Sequence, residues 1–86
     1  MESFEMIYVY RTKVCDWVIV PHEGGCQLRW YFPEGFEISG FYRNPGMAAD
    51  DVAHGATGFD QWDRIPHSSD MADLGNWEKM SKYVQV

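Results

Sequence analysis

Cys26 and His22 are the residues best suited to nucleophilic chemistry, and a turn at residues 21–25 can bring them together. Such chemistry needs a thiolate next to an imidazole and a group that stabilises the oxyanion. Two adjacent glycines make this turn flexible, and no oxyanion-hole motif accompanies it. A small enzyme that uses Cys26 and His22 is therefore among the least favoured readings of the sequence.

Metal ligation and carboxylate catalysis are also weakly indicated. A structural metal needs Cys and His in close groups, whereas the three histidines are spread along the chain. Asp60 and Asp63 are three residues apart and share one face of a helix, but general acid catalysis needs one of them buried. They flank Trp62 in the most acidic stretch, so we expect Trp62 to pack inward and the acids to face water. The sequence predicts no catalytic residue, no metal and no other cofactor.

The two cysteines, Cys15 and Cys26, are predicted to be reduced thiols. In the register derived below they lie about six residues apart along the strands, roughly 20 Å, which is far more than a disulfide spans. Reduced thiols are typical of intracellular proteins, and the expected location is the cytoplasm. Cys15 is expected to act as a small apolar core residue.

The net charge of −6 comes from 13 acidic and seven basic side chains and is concentrated in one part of the 86 residues. Between Asp50 and Glu78 seven acids accompany a single base, Arg64, whereas acids and bases balance elsewhere. An acidic block of this kind repels nucleic acid and anionic membranes and attracts basic surfaces. The sequence contains no run of about 18 apolar residues, so it predicts no membrane span. A protein with a basic surface is the predicted partner, rather than a membrane or nucleic acid.

The apolar fraction of 45% and the aromatic fraction of 16% indicate a single folded domain over residues 1–86. β-Branched and aromatic residues predict four strands, at residues 4–10, 14–20, 27–32 and 36–42. Their connections are too short for parallel crossovers, so the strands should form an antiparallel meander.

Centring the three turns predicts the strand register. The predicted pairs are Val9 with Cys15, Ile7 with Trp17, Trp17 with Trp30, Ile19 with Leu28, and Phe32 with Phe36. Because side chains alternate along a strand, these pairs define one uncharged face of the sheet. Its members are Ile7, Val9, Cys15, Trp17, Ile19, Leu28, Trp30, Phe32, Phe36 and Ile38. So apolar a face has to be covered.

The C-terminal half, residues 44–83, supplies the predicted cover. Asn44 can cap a helix that starts at Pro45 and ends near His54. Pro66 disfavours helical backbone angles at Ile65, so we expect any helix to end there. The predicted fold is α+β, with a four-stranded antiparallel meander over residues 4–42 and two short acidic helices packed on one face.

The second helix is predicted after a cap at residues 68–70. It would place Met71, Leu74 and Trp77 along one side. Residues 82–86 either finish that helix or add a strand to the sheet.

The opposite face of the predicted sheet mixes aromatic and polar side chains, notably Tyr8, Tyr10, Arg29, Tyr31 and Phe41. Tyrosine and arginine are enriched at protein interfaces, so this face is an alternative interface. The equally weighted alternative is that the chain's own tail or a second copy in a homodimer covers this face. Single-stranded RNA could stack on the same aromatic rings, but the net charge opposes phosphate.

The charge block leads to the favoured function. We expect a small non-enzymatic interaction protein, an inhibitor that occupies a basic, nucleic-acid-binding surface of its partner. Small phage counter-defence proteins, anti-CRISPR proteins among them, often work in this way, an analogy of size and charge. The candidate partner-binding residues are Asp50, Asp51, Asp60, Asp63, Asp70 and Asp73.

Two alternatives stay open. One is an accessory or structural subunit, or a single-strand RNA binder, that uses the sheet face around Tyr8, Arg29 and Tyr31. The other is an enzyme or ligand-binding fold, built on Cys26 and His22 or on an aromatic pocket around Trp17, Trp30 and Trp62.

Overall fold

Short glycine- and proline-containing turns fold the first half of the chain into a meander of antiparallel strands. The computed structural model describes residues 6–67 and 69–83. Within them the strands are β1 (Ile7–Arg11), β2 (Asp16–His22), β3 (Gly25–Phe32), β4 (Gly35–Tyr42) and β5 (Glu78–Met80). They form one sheet in the order β4-β3-β2-β1-β5, and all neighbouring pairs are antiparallel.

The α+β class is confirmed, but the sheet has five strands rather than the predicted four. The additional strand, β5, pairs with β1 through Ile7–Met80, Tyr8–Lys79 and Val9–Glu78. It occupies the edge of β1 that a four-stranded meander would leave unpaired. The strand therefore comes just before residues 82–86, where the sequence left the choice between helix and strand open. Residues 84–86 lie outside the described residues, as do residues 4 and 5 of the first predicted strand.

The turn between β2 and β3 sets the central register as predicted. Glu23 (φ 43°) and Gly24 (φ 83°) both lie in the left-handed region, as in the two-residue hairpin turns whose twist matches that of the strands. Trp17 lies opposite Trp30, and Ile19 opposite Leu28. These two predicted pairs are confirmed.

The predicted register of the first hairpin is wrong. Val9 lies opposite Val18 rather than Cys15, a difference of three residues, and Trp17 lies opposite Tyr10 rather than Ile7. Because an odd shift reverses the faces of a strand, Ile7 and Val9 lie on the opposite side of the sheet from Trp17.

The cause is the connection between β1 and β2, which is one residue longer than the predicted turn and is closed by a side chain. The hydroxyl of Thr12 donates to the Cys15 carbonyl at 2.6 Å and accepts from the N–H groups of Val14 and Cys15, both at 3.1 Å. Such side-chain bonds to nearby backbone compete with a tight turn, and this one centres the loop later than the sequence pattern predicts.

The last hairpin also departs from the predicted pairing near its turn. Phe36 lies opposite Tyr31 rather than Phe32, because Phe32 pairs directly with Gly35. This one-residue difference again exchanges the faces. Phe36 and Ile38 therefore lie on the side of the sheet away from Trp30, contrary to the prediction.

A β-bulge at Ser39 restores the alternation beyond this point. Ile38 and Gly40 lie opposite the consecutive residues Arg29 and Leu28, so Ser39 is the extra residue of β4. Its hydroxyl donates to the backbone carbonyl of Thr57, which ties the bulge to the helical layer.

The register assigns the side chains of the sheet to two faces. The covered face, which packs beneath the helices, consists of Tyr8, Tyr10, Trp17, Ile19, Cys26, Leu28, Trp30 and Tyr42. The open face includes Ile7, Val9, Arg11, Asp16, Val18, Val20, His22, Gln27, Arg29, Tyr31, Phe36, Ile38 and Phe41.

The first helix confirms the predicted one. Helix α1 (Pro45–Ala53) begins after Asn44, whose Oδ1 accepts from the N–H of Met47 at 3.0 Å, and its C-cap is His54. Proline is tolerated at the first helical position because its missing N–H would have had no partner there. The helix buries its alanines and one valine, at Ala48, Ala49, Val52 and Ala53.

The rest of the cover is made of shorter pieces than predicted. Helix α2 (Asp60–Asp63) buries Trp62. The predicted second helix is replaced by two 3₁₀ turns, Ser69–Ala72 and Leu74–Asn76.

Asp73 separates the two 3₁₀ turns. It has extended backbone angles and its carboxylate accepts from the N–H of Gly75 at 2.9 Å, so it starts a new turn instead of continuing a helix. Met71 and Trp77 are buried as predicted, whereas Leu74 is only partly buried. Ser68, part of the predicted cap, lies outside the described residues.

Candidate functional site

The segment that carries the net charge folds into one layer on the covered face. Residues 45–67 and 69–77, here called the acidic layer, contain six aspartates and a single arginine, Arg64. Their buried side chains join those of the covered face in one core, with Trp17 at its centre. Four of the six aspartates of the layer, Asp50, Asp60, Asp70 and Asp73, are exposed.

Three of the six candidate aspartates hold local structure. Asp51 is partly buried and its Oδ2 accepts from the hydroxyl of Tyr42 at 2.7 Å, which fastens α1 to β4. Burial, reinforced by this carboxylate, raises the pKa of Tyr42. Asp73 separates the two 3₁₀ turns, as described above, and is exposed.

Asp63 is the third structural carboxylate, and it closes the loop before α2. It accepts from the N–H of Thr57 at 3.1 Å, the hydroxyl of Thr57 at 2.7 Å and the N–H of Gly58 at 2.8 Å. Desolvation acts to raise the pKa of Asp63, but these hydrogen bonds stabilise the charged form and outweigh it. The pKa of Asp63 is therefore lowered from its ordinary value of 3.8.

The other three candidate aspartates are exposed. Asp50 on α1 is 60% exposed and lies 3.5 Å from the Nδ1 of His54. Asp60 is 75% exposed and pairs with Arg64 at 3.1 Å. An ion pair this exposed is worth at most about 1 kcal/mol, so it does not prevent Asp60 from pairing with another cation. Asp70 is exposed on the first 3₁₀ turn.

The structure separates the members of the predicted alternative interface. Tyr8 and Tyr10 lie on the covered face, where Tyr10 packs edge-on against Trp77 with ring centroids 5.3 Å apart. Their predicted place beside Arg29 is wrong because of the three-residue shift of β1. Arg29, Tyr31 and Phe41 do lie together on the open face, where Phe36 and Ile38 join them.

Half of the open face is covered by the chain's own tail, one of the two covers that the sequence left open. The ring of Tyr83 lies 4.3 Å from that of Tyr31, and its hydroxyl donates to Asp16 at 2.6 Å. Beneath it Ile7, Val9 and Val18 form a second small core. The half of the open face formed by β3 and β4 carries the exposed side chains.

The proposed nucleophile pair is not assembled. Cys26 is buried in the main core on the covered face, whereas the ring of His22 contacts Phe41 on the open face, 4.9 Å between centroids. A cleft of about 460 Å³ at this end of the sheet includes both residues in its walls. Burial raises the pKa of the Cys26 thiol, which disfavours the reactive thiolate.

Cys15 is also a free, buried thiol, and it packs in the main core as expected. Burial, with a contribution from the Asp16 carboxylate, raises its pKa to about 12. Among the described residues, no three His, Cys, Asp or Glu side chains are grouped closely enough to hold a metal ion. In residues 6–67 and 69–83, no helix has the length and apolar character needed to cross a membrane.

The three tryptophans of the predicted aromatic pocket fill space rather than enclose it. Trp17 is fully buried and contacts Trp30 and Trp62 edge-on, at 5.8 and 5.6 Å between ring centroids. Phe59 stacks flat on Trp30 at 4.5 Å. The aromatic cluster is therefore the packed centre of the main core.

Phe36 and Ile38, like Ile7 and Val9, lie on the open face although the sequence pattern placed them on the covered face. The signal that could have found Phe36 and Ile38 is the short Pro33-Glu34 turn, since pairing Phe32 directly with Gly35 sends both side chains to the open face.

Comparison with known proteins found no family model, no curated protein and no solved structure that matches this chain.

Proposed function

We propose that this protein is a small non-enzymatic interaction protein that binds a basic partner surface through its acidic layer. The observation that supports this function is the separation of charge within the fold. Six of the 13 acids lie in the layer with one arginine, and the layer covers a single face of the sheet.

The exposed carboxylates of Asp50, Asp60, Asp70 and Asp73 form the contact surface in this proposal. Asp51 and Asp63 instead maintain the shape of the layer through their internal hydrogen bonds. This division refines the predicted set of six, because only side chains that keep their carboxylates in solvent can pair with a partner at low desolvation cost.

The basic surface of a nucleic-acid-binding protein fits this layer best. Such surfaces present rows of Lys and Arg that normally neutralise phosphates, and a rigid array of carboxylates can occupy them by electrostatic complementarity. The protein would then act as a competitor of nucleic acid, as small phage counter-defence proteins of similar size and charge do.

A competition experiment tests this function. The immobilised protein is incubated with a native cell lysate, and bound proteins are eluted in parallel with a salt gradient and with a short DNA duplex. We expect the same proteins in both eluates, since screening shortens the Debye length from about 10 Å at 0.1 M salt to about 3 Å at 1 M. Retention that resists both eluents would contradict the proposal.

Matched charge reversals locate the contact. The double variant Asp50→Lys/Asp60→Lys changes the net charge by the same amount as Glu23→Lys/Glu34→Lys, whose two exposed glutamates lie in the hairpin turns. We expect the first variant to lose the DNA-eluted proteins and the second to retain them. Equal losses would indicate attraction by net charge alone, without a contact surface in the acidic layer.

A further inference from the structure

The open-face side of β4 carries an apolar strip on a free edge of the sheet. Phe36, Ile38 and Phe41 are 42%, 47% and 60% exposed. The bulge at Ser39 is what aligns them, because it returns Phe41 to the same face as Ile38 despite their odd spacing. Single exposed apolar residues are common, whereas a contiguous strip of them marks an interaction site.

Arg29, on the neighbouring strand β3, lies opposite the middle residue of this strip, Ile38, and is held in place. Its guanidinium sits 4.3 Å from the ring centroid of Phe36, Nη1 donates to the hydroxyl of Tyr31 at 2.9 Å, and Nε donates to Oε1 of Gln27. Gln27 is itself only 5% exposed. The arginine is therefore oriented by neutral partners, which leaves its charge uncompensated.

The other arginines of the sheet and layer differ from Arg29 in this respect. Arg11 pairs with Asp16 and Glu78, at 3.0 and 3.4 Å, and Arg64 pairs with Asp60. Among the described residues no carboxylate lies within ion-pair distance of Arg29. A half-buried, oriented guanidinium of this kind is suited to bind a carboxylate in bidentate fashion.

The backbone of β4 adds a further binding element. β4 is the last strand on its side of the sheet, and in the described part of the chain its backbone hydrogen bonds are made within the sheet, to β3 alone. An edge strand presents N–H and C=O groups that can pair with an added extended segment. Side chains of that segment at every second position would face the apolar strip and Arg29.

Charge distinguishes the candidate occupants. Two copies stacked by their open faces around this strip would bring two Arg29 side chains together, and two copies joined edge to edge at β4 would set their acidic layers side by side. Like charges in contact are costly in both arrangements. RNA would find one oriented cation on a protein of net charge −6.

We propose that the edge patch, formed by Arg29, Phe36, Ile38 and Phe41, docks an extended segment of a partner protein that adds to β4. The segment carries one carboxylate, which pairs with Arg29, and apolar side chains two positions away on either side, which cover the strip. This surface lies on the opposite face of the sheet from the acidic layer, so the two surfaces can bind different proteins at once.

A strand peptide of defined sequence tests this proposal. The probe is acetyl-Gln-Thr-Val-Thr-Glu-Thr-Val-Thr-Gln-amide, and the control peptide has Gln in place of Glu. In ¹⁵N-HSQC titrations we expect the probe to shift amides of β3 and β4, and the control peptide to bind about tenfold more weakly, as expected for a charged hydrogen bond.

Variants connect the binding to the proposed contacts. Arg29→Gln should reduce affinity for the probe about tenfold and leave affinity for the control peptide unchanged. Arg29→Lys, which keeps the charge without the planar fork, should give an intermediate loss. Ile38→Asp should weaken both peptides, and unchanged HSQC peaks of the covered face will show that the variants are folded.

Several outcomes would overturn the proposal. Equal affinity of the probe for the wild type and Arg29→Gln, shifts confined to the acidic layer, or no shift at about 2 mM peptide would each do so, since 1 mM corresponds to only about 4 kcal/mol of binding free energy. A concentration-dependent dimer that Ile38→Asp dissociates would assign the patch to a second copy. Binding of oligouridine that depends on Arg29 would assign it to RNA.

Discussion

The covered and open faces of the sheet contain similar side chains in different surroundings. On the covered face Trp17 and Leu28 are fully buried beneath the acidic layer. The open face buries Val18 beneath Tyr83 but leaves Phe41 60% exposed. The same amino-acid types are thus buried in the core on one face and exposed on the other, and what decides between these surroundings is the element that packs above them.

A pair of identical substitutions gives the largest expected contrast. Ile19 on the covered face is 1% exposed, whereas Ile38 on the open face is 47% exposed. We expect Ile19→Ala to reduce the free energy of unfolding by about 2–5 kcal/mol, and Ile38→Ala by less than about 1 kcal/mol, since a cavity forms only in the core. Urea unfolding monitored by tryptophan fluorescence measures both. Equal losses would show that the open face is as tightly packed as the covered face.

Two tryptophans of the main core, Trp17 from the sheet and Trp62 from the acidic layer, sharpen the comparison. The buried Nε1 of Trp62 donates to the Val52 carbonyl at 2.9 Å, which fastens α2 to α1. The buried Nε1 of Trp17 has no hydrogen-bond partner among the described residues. We expect Trp62→Phe to cost about 1–2 kcal/mol more than Trp17→Phe, because it removes a buried hydrogen bond, whereas Trp17→Phe removes an N–H that has no partner among the described residues. Chemical denaturation of both variants tests this, and the reverse order would contradict the assigned role of Trp62.

Low pH should destabilise the acidic layer on the covered face, because it protonates Asp63. The pKa of Asp63 is lowered in the folded state, so its contribution to stability is complete above the ordinary value of 3.8 and is lost as the pH falls through the lowered pKa. Asp63→Asn should cost about 1 kcal/mol at neutral pH, where the ionised acceptor is lost. The difference between wild type and variant in urea unfolding should shrink as the pH falls below 3.8. A constant difference would exclude this role.

High pH should weaken the contact of Tyr83 with the open face, and this is the smallest of the expected effects. Burial and the hydrogen bond to Asp16 raise the pKa of Tyr83 from 10.0 to about 12. Its contribution to stability is therefore present below pH 10 and lost as the pH rises towards 12. Tyr83→Phe should cost less than about 1 kcal/mol at neutral pH. Absorbance titration of tyrosinate should lose one transition near pH 12 in this variant, and an unchanged titration would contradict the contact.

The sequence predicts best those parts of the fold that are set by backbone preferences. The glycines and the proline at residues 21–25 predict a turn, and the β2–β3 pairing followed from centring it. Thr12 and Ser39 show what such reasoning misses, because a hydroxyl that closes a loop and a bulge that adds one residue each reverse a strand's faces. Neither feature changes the pattern of apolar residues from which the register was derived.

The candidate site was predictable as a region but not residue by residue. The concentration of acids in the C-terminal half is visible in the sequence, and so is their place in the layer over the sheet. Which aspartates face outward is not visible, because the same residue type also accepts backbone hydrogen bonds within the layer, as Asp63 does. Only tertiary contacts such as that of Asp51 with Tyr42 distinguish these roles.

The most direct test of the central claim, that the acidic layer acts as one binding surface, is an NMR titration with a decalysine peptide. At low salt we expect amide shifts to concentrate around Asp50, Asp60, Asp70 and Asp73 and to disappear at about 1 M salt. Shifts spread evenly over all exposed acids, or centred on the hairpin turns at Glu23 and Glu34, would show that the negative charge does not form a single surface.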